Sequence, residues 1–282
     1  MLYYGDMDML FFSGLFVFSF GTIIGSFLNV LVLRLGTGEA IGRGRSRCFS
    51  CGKTLTWREL IPLVSFITQK GKCRSCGSRI SWQYPIVEFI TGLVFLLVAL
   101  KLLHYQLAEA GLPYIGFYFF GAFAYWSAIF AILIAISVYD FRHKIIPNQL
   151  VYSFIVLAFL WGISGSGTSG NILPDVPLPE IMAGVGAFAF FTSLWFFSKG
   201  KWMGFGDAKL ALGMGFLLGP WLTAVSVMLS FWIGTLIAVP VALLWGGGLK
   251  TQIPFGPFLA LGAFISWFAG NYLLETYQGL LF

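Results

Sequence analysis

Two carboxylates at the ends of apolar segments have the clearest capacity for chemistry in this sequence. Asp207 follows two glycines, Gly204 and Gly206, at the start of an apolar run, and Asp140 closes the apolar run 129–139. A charged side chain at the centre of a membrane helix costs roughly 2.5 to 3.5 kcal/mol, so ionisable residues kept at such segments are candidates for function. Two of them together suggest acid/base catalysis on a water molecule.

The two carboxylates are predicted to occupy opposite kinds of helix end. Asp207 opens a helix, where the macrodipole stabilises an anion, whereas Asp140 closes one, where the macrodipole disfavours an anion. If they lie within a few Å, one is ionised and activates water while the other stays protonated and polarises a carbonyl, because adjacent charges cannot both form readily. Asp207 is then expected to be the more readily ionised member. The alternatives are a solvated Asp140 paired with Arg142 or Lys144, a proton relay in a transporter, and inert carboxylates in a membrane scaffold.

Four cysteines predict a metal site. They form two C-x-x-C-G motifs separated by 21 residues, with one glycine after each motif. Each pair can hold one edge of a tetrahedral ion, and the glycine allows a turn with positive φ that directs backbone N–H groups toward the sulfurs. A closed shell of four thiolates indicates structural zinc, since no position is open to substrate. Two disulfides or free thiols are the alternatives, although disulfides are rare in a reducing compartment. The residues are Cys48, Cys51, Cys73 and Cys76.

The elements that must position these residues are membrane helices. The sequence is 58% hydrophobic and 10% charged, with a mean hydropathy of +0.87, which is far more apolar than a soluble domain. Runs long enough to cross a bilayer, about 20 residues each, predict an all-α polytopic membrane protein with about eight transmembrane helices. The runs are 9–34, 85–104, 115–139, 148–164, 179–198, 221–246 and 255–275, with a short eighth segment near 207–219.

The cysteines lie in a small polar segment between the first and second predicted helices. This divides the chain into a first transmembrane helix at 1–35, a zinc-binding loop domain at 36–84 and a transmembrane domain at 85–282 that carries both aspartates. The first apolar run has no basic residues before it, so we interpret it as a retained anchor and not as a cleaved signal peptide.

The distribution of basic residues predicts the orientation. Of the 17 Lys and Arg residues, 16 fall in alternate loops and only Lys101 falls on the opposite side. Short loops rich in Lys and Arg are cytosolic, so the N-terminus is expected outside and both aspartates at the cytosolic face. The net charge of +6 is explained by this asymmetry and by contact with lipid headgroups of the bilayer. No nucleic-acid-binding motif is present, so no nucleic-acid partner is expected.

Two polar features near the membrane surface admit two interpretations each. Ser26 and Asn29 lie three residues apart within an apolar helix, so they form either a packing seam or a polar lining. Glu88 follows Pro85 in the first turn of the second predicted helix, where a helix N-terminus favours an acidic residue. A role for Glu88 in binding a cationic partner is the alternative.

Six motifs in order resemble those of the type IV prepilin peptidases, which are membrane aspartic proteases with a G-x-G-D motif. The resemblance extends from about residue 20 to residue 265. The motifs are G-S-F-L-N-V at 25–30, the paired C-x-x-C, Y-P-I-V-E at 84–88, D-x-x-x-x-x-I-P-N at 140–148, G-F-G-D-A-K-L at 204–210 and I-P-F-G-P-F-L-A at 253–260.

The resemblance implies an activity, substrates and cofactors. Members of the family cleave the short basic leader of type IV prepilins and type II secretion pseudopilins at the cytosolic face of the bacterial inner membrane, after a glycine and before Phe or Met. Many then methylate the new N-terminus with S-adenosylmethionine. By motif match Asp140 and Asp207 are the catalytic residues and the four cysteines hold zinc. The surroundings of Gly25, Asn29 and Glu88 are where the resemblance implies the methyl donor; no G-x-G-x-x-G nucleotide loop is present.

Overall fold

The computed structural model describes residues 4–40, 42, 44–108, 117–165, 177–244 and 253–281. Across these ranges the chain is helical, and its only β-structure is two isolated bridges. The predicted all-α class is therefore confirmed. The helices are α1 (Tyr4–Arg34), a short 3-10 turn (Trp57–Glu59), α2 (Val64–Thr68), α3 (Gln83–Ala108), α4 (Phe117–His143), α5 (Asn148–Gly165), α6 (Leu178–Ser198), α7 (Phe205–Leu244) and α8 (Gly256–Leu281).

Five helical segments are long and apolar enough to cross a membrane. Two shorter apolar helices, Asn148–Ile163 in α5 and Gly256–Gly270 in α8, accompany them. This pattern confirms a polytopic membrane protein in which the segment 36–84, called the cysteine segment below, lies between α1 and α3. The count of eight spans stays a prediction. The five segments are Ser13–Arg34, Gln83–Tyr105, Tyr118–His143, Leu178–Ser198 and Phe205–Pro240.

Helix α7 is broken at Gly219, close to the boundary that the sequence predicts between the segments 207–219 and 221–246. Gly219 has φ 70° and ψ −177°, a backbone conformation outside the helical region that glycine adopts readily. Pro220 follows and has no N–H to donate, and its ring disfavours a helical conformation in the residue before it. The Gly-Pro pair therefore ends one helical segment and begins another.

The chain divides into two compact units, Met1–Ala131 and Ile132–Phe282. In the first unit α1 packs along α3, around the buried side chains of Val32, Phe95 and Val98. In the second unit α7 packs against α5, α6 and α8. The second core includes the buried side chains of Phe154, Phe191, Leu210, Met214 and Leu259.

Glycines set the closest helix contacts in both units. A Cβ on Gly25 of α1 would lie 2.8 Å from the Cα of Glu88 in α3, so only glycine fits there. In the second unit Gly215 of α7 and Gly184 of α6 meet backbone to backbone. Small residues at such crossings are the usual way in which membrane helices approach closely, because no water is available to drive them together.

Candidate active site and metal centre

Asp140 and Asp207 lie together in the second unit. Asp140 is in the last turn of α4 and is 4% exposed, and Asp207 is in the first turn of α7 and is 5% exposed. The two carboxylates are close enough for their charges to interact. The structure thus brings together the two residues that the sequence singles out. Their burial argues against a solvated Asp140 paired with surface cations.

Each carboxylate accepts a hydrogen bond from a backbone amide. Gly256 N donates to Oδ2 of Asp140 at 3.1 Å, and Gly204 N donates to Oδ2 of Asp207 at 3.2 Å. Gly256 is the first residue of α8, so Asp140 faces the N-terminus of α8 while it closes α4. A helix N-terminus stabilises a nearby anion. The contrast between the helix-end environments of the two carboxylates is therefore smaller than the sequence predicts.

The side chain of Ile146 lies beside both Gly206 and Gly256. A Cβ on Gly206 would lie 2.7 Å from the Cβ of Ile146, and a Cβ on Gly256 would lie 2.6 Å from Oδ2 of Asp140. Gly206 thus makes room for the Ile146 side chain, whereas a Cβ on Gly204 would be in ordinary contact with Oδ2 of Asp207, at 3.7 Å.

Lys209 connects the starts of α5 and α7, and sequence reasoning gave it no role. Its Nζ donates to Oδ1 of Asn148 at 2.9 Å and lies 5.1 Å from the ring centre of Tyr152 and 5.4 Å from that of Phe205. Lys209 follows Asp207 by two residues, so it holds the first turn of α7 against the neighbouring helix. The G-F-G-D-A-K-L motif, which contains Lys209, is the sequence feature that could have indicated this role.

The four cysteine sulfurs form a compact cluster that could hold a metal ion. All four Sγ atoms lie within 4.8 Å of one another, and those of Cys48 and Cys76 are 3.8 Å apart. A tetrahedral ion with bonds of about 2.3 Å places its sulfur ligands about 3.8 Å apart. None of the four cysteines is in a disulfide. The donor set therefore fits a closed four-thiolate site, and the disulfide alternative is not supported.

Both C-x-x-C-G motifs fold into the same kind of turn. Cys48 N donates to Lys53 O and Cys73 N donates to Ser78 O, each at 2.9 Å. A single antiparallel bridge lies beside each turn. The glycines after the motifs, at positions 52 and 77, have φ of 71° and 70°, which confirms the positive-φ turns predicted from the sequence.

Hydrogen bonds around the sulfurs favour the thiolate form at Cys48 and Cys76. At Cys51 the Lys53 backbone lowers the pKa, but burial and the neighbouring thiols outweigh it and raise the pKa to about 11. The backbone N–H of Cys51, then that of Ser50 and the hydroxyl of Ser78, lower the pKa of Cys48 to about 6. The Ser78 side chain and backbone likewise lower the pKa of Cys76. A thiol that ionises readily binds a metal without a large cost of deprotonation.

Gly25, Asn29 and Glu88 lie together where α1 meets α3. Asn29 is 1% exposed, and its Nδ2 donates to the carbonyls of Gly25 and Tyr84 at 3.3 Å each. The carboxylate of Glu88 accepts a hydrogen bond from Leu63 N at 2.8 Å. These polar groups bind one another and nearby backbone, which favours the packing-seam interpretation of Asn29. Their role in holding a methyl donor stays a prediction.

Comparison with known proteins is consistent with the aspartate pair and with the cysteine cluster. Two family models match the chain: the Bacterial Peptidase A24 N-terminal domain over residues 19–102, and the Type IV leader peptidase family over residues 127–239. The first match includes the four cysteines, and the second includes both aspartates.

Curated relatives are similar along nearly the whole chain. The prepilin leader peptidase/N-methyltransferase of Bacillus subtilis (strain 168) is 32% identical over 263 residues, which cover 93% of this chain and 96% of that protein. The protein of the same name from Xanthomonas campestris pv. campestris is 31% identical over 288 residues, with 91% of each chain covered. That of Aeromonas salmonicida (strain A449) is 31% identical over 309 residues and covers 96% of this chain. No solved structure matches.

Proposed function

The chain belongs to the type IV leader peptidase family, and from this premise we propose that it cleaves the leader of type IV prepilins and pseudopilins. The observation that carries the proposal is the buried pair Asp140 and Asp207, which interact with each other and lie within the matched region. A soluble aspartic protease needs two carboxylates that share a proton, and this pair supplies the same groups from two membrane helices.

In the proposed mechanism the two carboxyl groups share one proton. The ionised group takes a proton from water, and the water oxygen attacks the carbonyl carbon of the scissile peptide. The protonated group donates a hydrogen bond to the carbonyl oxygen and stabilises the charge that develops there. The tetrahedral intermediate then collapses and the C–N bond breaks. The leaving amine takes the proton that the first carboxyl group had removed from water, which restores the singly protonated pair. We assign the proton to the pair and not to Asp140 or Asp207 alone, because coupled groups titrate together.

The position of the pair favours a peptidase over a proton relay. Both aspartates lie at helix ends, in the last turn of α4 and the first turn of α7. A relay across a bilayer calls for ionisable groups near the middle of the spanning helices. A prepilin has an apolar stem and a basic leader, so its cleavage point lies at the membrane surface, where helix ends are found.

We further propose that the enzyme is a multi-pass protein of the bacterial inner membrane with the N-terminus outside and the active site facing the cytosol. The support is the asymmetry of the basic residues, 16 of 17 of which fall on one side in the predicted topology. The basic leader of the substrate would remain on the same side, where the two aspartates can reach it.

We propose that Cys48, Cys51, Cys73 and Cys76 hold a structural zinc ion. When bound, the ion would cross-link the two turns of the small segment 36–84, in whose described part Cys73 is the one buried apolar residue. The closed donor set leaves no open position for substrate, so the segment contributes no metal-activated water to the peptide cleavage.

N-methylation of the new N-terminus with S-adenosylmethionine is the second proposed activity, and the names of the relatives support it. The polar groups of Asn29 and Glu88 bind protein partners and Gly25 is in contact with α3, so the assignment of these three residues to the methyl donor rests on the resemblance alone. We therefore derive no step of methyl transfer from these three residues.

The test is the mass of a prepilin incubated with the membrane-embedded protein, with and without S-adenosylmethionine. Loss of the leader in both reactions is expected, and the mass of one methyl group is gained only when the donor is present. An uncleaved prepilin that nevertheless co-purifies with the protein would contradict the peptidase proposal and favour a binding scaffold.

A further inference from the structure

A cavity of about 770 Å³ opens in the first unit, between the cysteine segment and the first turns of α3. Its size is that of a site for a small ligand. Neither Asp140 nor Asp207 lines it, and none of the four cysteines does. The active-site and metal-site functions proposed above therefore leave it unexplained.

One wall of the cavity is the outer face of α3. Ile86, Phe89 and Ile90 line it and are exposed by 50%, 50% and 43% respectively. Their spacing places them on one face of the helix, and Leu93, 38% exposed, continues that face by another turn. Because the segment Gln83–Tyr105 is long and apolar enough to span a bilayer, an exposed apolar face on it would lie against lipid acyl chains.

The opposite wall is apolar near the helix and basic at its rim. Phe66 and Trp82 pack against each other with ring centres 5.0 Å apart, and both line the cavity. Three exposed basic residues, Lys70, Lys72 and Arg79, complete the lining. Lys72 and Arg79 are neighbours across an antiparallel bridge, so their charges lie at the same edge of the cavity.

Among the residues that the structure describes, no carboxylate forms an ion pair with this basic rim. Within the described part of the segment 36–84, the acidic residues are Glu39 and Glu59. Glu39 pairs with Arg34 and Arg47, and Glu59 pairs with Lys53. None of the three rim residues forms an ion pair with a described carboxylate, so the rim is free to bind an anion.

The nearby carboxylate of Glu88 does not balance the rim either. Glu88 is buried, and it binds the backbone amide of Leu63, the residue at which the cysteine segment turns toward α2. This hydrogen bond holds one edge of the cavity in place, because Leu63 is itself part of the lining. Leu63 has φ 60° and ψ −51°, an uncommon conformation for a non-glycine residue that needs such support.

We propose that this cavity binds an anionic phospholipid from the surrounding bilayer, with the phosphate at Lys70, Lys72 and Arg79 and an acyl chain along Ile86 and Phe89. An apolar wall continuous with a lipid-facing helix surface and a basic rim beside it match the two halves of such a lipid. Trp82, 69% exposed, lies between them, and tryptophan is enriched at this depth of a membrane. The bound lipid would hold the cysteine segment against the membrane surface.

S-adenosylmethionine is a poorer match to this cavity. Its sulfonium and amino groups are cationic, and the three basic residues would repel them. The walls are mostly apolar side chains, so few partners are available for the polar groups of a nucleoside. The lipid proposal does not rest on the peptidase or methyltransferase activity, and its test uses neither substrate nor methyl donor for the main readout.

The experiment measures lipid binding to the full-length protein in detergent by native mass spectrometry. Phosphatidylglycerol and phosphatidylcholine with the same acyl chains are titrated in parallel. The triple variant K70Q/K72Q/R79Q removes the rim charges, and the triple variant R45Q/R58Q/R74Q removes the same charge from exposed residues of the same segment outside the cavity. Metal content is measured for both variants, so that a disrupted cysteine site is detected.

Phosphatidylglycerol is expected to bind the unmodified protein at least tenfold more tightly than phosphatidylcholine. Each basic side chain near an anionic headgroup contributes about 1 kcal/mol, or roughly fivefold in affinity. The preference should disappear in K70Q/K72Q/R79Q and remain in R45Q/R58Q/R74Q. Equal losses in the two variants would overturn the proposal in favour of diffuse attraction between the membrane and a basic segment.

A second measurement needs no variant. Phosphatidylglycerol with a photoreactive group in its acyl chain is cross-linked to the unmodified protein, and the labelled peptides are mapped. Labels are expected on residues 82–90. Labels confined to other helices would refute the site, and displacement of the label by S-adenosylmethionine would assign the cavity to the methyl donor instead.

Discussion

The backbone amide of Gly256 donates a hydrogen bond to Oδ2 of Asp140 across 116 residues of sequence, at 3.1 Å. This contact places the first residue of α8 against one member of the proposed catalytic pair. It provides an electrostatic partner that compensates for the unfavourable position of Asp140 at the end of α4. The I-P-F-G-P-F-L-A motif therefore acts directly on the candidate active site and is more than a loop before the last helix.

Gly256→Ala is expected to reduce leader cleavage strongly. The added Cβ would lie 2.6 Å from Oδ2 of Asp140, so the carboxylate must move and the hydrogen bond from residue 256 is lost or lengthened. Misplacement of a catalytic group by about 1 Å commonly costs a factor of 10² in rate. The rate of prepilin cleavage in membranes is the measurement.

Gly186→Ala is the matched control for this substitution. Gly186 lies within α6, and a Cβ there would meet no atom within 4 Å. The control should keep its activity and expression level. Similar losses in both variants would show that the effect comes from general sensitivity of the membrane helices and not from Asp140.

Replacement of either aspartate by asparagine should abolish cleavage. Asp140→Asn and Asp207→Asn keep the size of the side chain but remove the group that exchanges a proton, and general acid/base catalysis contributes about 10² to 10⁴ in rate. Glu180→Gln is a suitable control because Glu180 lies in the first turn of α6, outside the pair. Mass spectrometry of the prepilin distinguishes the variants, and cleavage by both asparagine variants at the normal rate would exclude the pair as catalytic.

The sequence predicts which residues form the pair but not the contacts that tune it. Asp140 and Asp207 stand out because charged residues are rare in apolar runs, and that signal is local to each residue. The hydrogen bond from Gly256 depends on where the first residue of α8 lies relative to the last turn of α4, a contact between distant parts of the chain. The donor is a backbone amide, which every residue except proline has, so the residue types in the sequence do not predict this hydrogen bond.

The contact between α1 and α3 is a second case in which the sequence does not predict the contacts that a polar residue makes. The spacing of Ser26 and Asn29 predicts that they share a helix face, but both a packing seam and a ligand lining fit that spacing. The choice depends on Gly25, whose lack of a side chain brings α3 close enough for Asn29 to bind the carbonyl of Tyr84. The cysteine site, by contrast, can be predicted from the sequence because the two ligands of each pair are only three residues apart.

Removal of the metal is expected to loosen the cysteine segment while the helices stay folded. Chelation should make residues 44–82 much more sensitive to proteolysis, because this small segment depends on its cross-link for stability. Circular dichroism should change little, since α1 and α3 pack against each other without the metal ligands. Cys73→Ser should reproduce the effect without a chelator.

The control for the metal prediction is Ser75→Ala. Ser75 is exposed and lies between the two cysteines of its motif. This variant should bind one equivalent of zinc and resist proteolysis as the unmodified protein does. Unchanged proteolysis after complete metal removal would contradict a structural role for the ion.

The acid stability of the cysteine segment is expected to depend on Glu59. Hydrogen bonds from the backbone N–H and the hydroxyl of Thr56 lower the pKa of Glu59 below its usual value. A lowered pKa in the folded state means that the ionised group stabilises the fold above the pKa of the unfolded chain, about 4.3. That contribution is lost as the pH falls through the lower, folded pKa.

Comparison with Glu59→Gln isolates this contribution from other effects of acid. The variant should be more sensitive to proteolysis than the unmodified protein at pH 7, by a constant ratio down to about pH 5. The ratio should begin to shrink below about pH 4.3, where Glu59 of the unfolded chain takes up a proton. It should approach one only below the lower pKa of the folded state, where the folded carboxylate is protonated as well. An acid-stable protease supplies the measurement, and a ratio that does not change with pH would argue against the carboxylate.

Lys209→Met is expected to lower activity by loosening the first turn of α7. The substitution removes the hydrogen bond to Asn148 and the cation–π contacts with Tyr152 and Phe205, but keeps an unbranched side chain of similar length. A hydrogen bond of this kind contributes about 1 kcal/mol and an exposed cation–π contact about 0.5 to 1 kcal/mol. Lys209 touches neither aspartate in these contacts, so its loss should lower kcat indirectly, by displacing Asp207.

Lys201→Met is the control. Lys201 is exposed and lies before α7, so this substitution should leave cleavage unchanged. A reduced kcat at normal melting temperature would show that Lys209 positions the catalytic turn, and equal kcat values for the two variants would show that it does not.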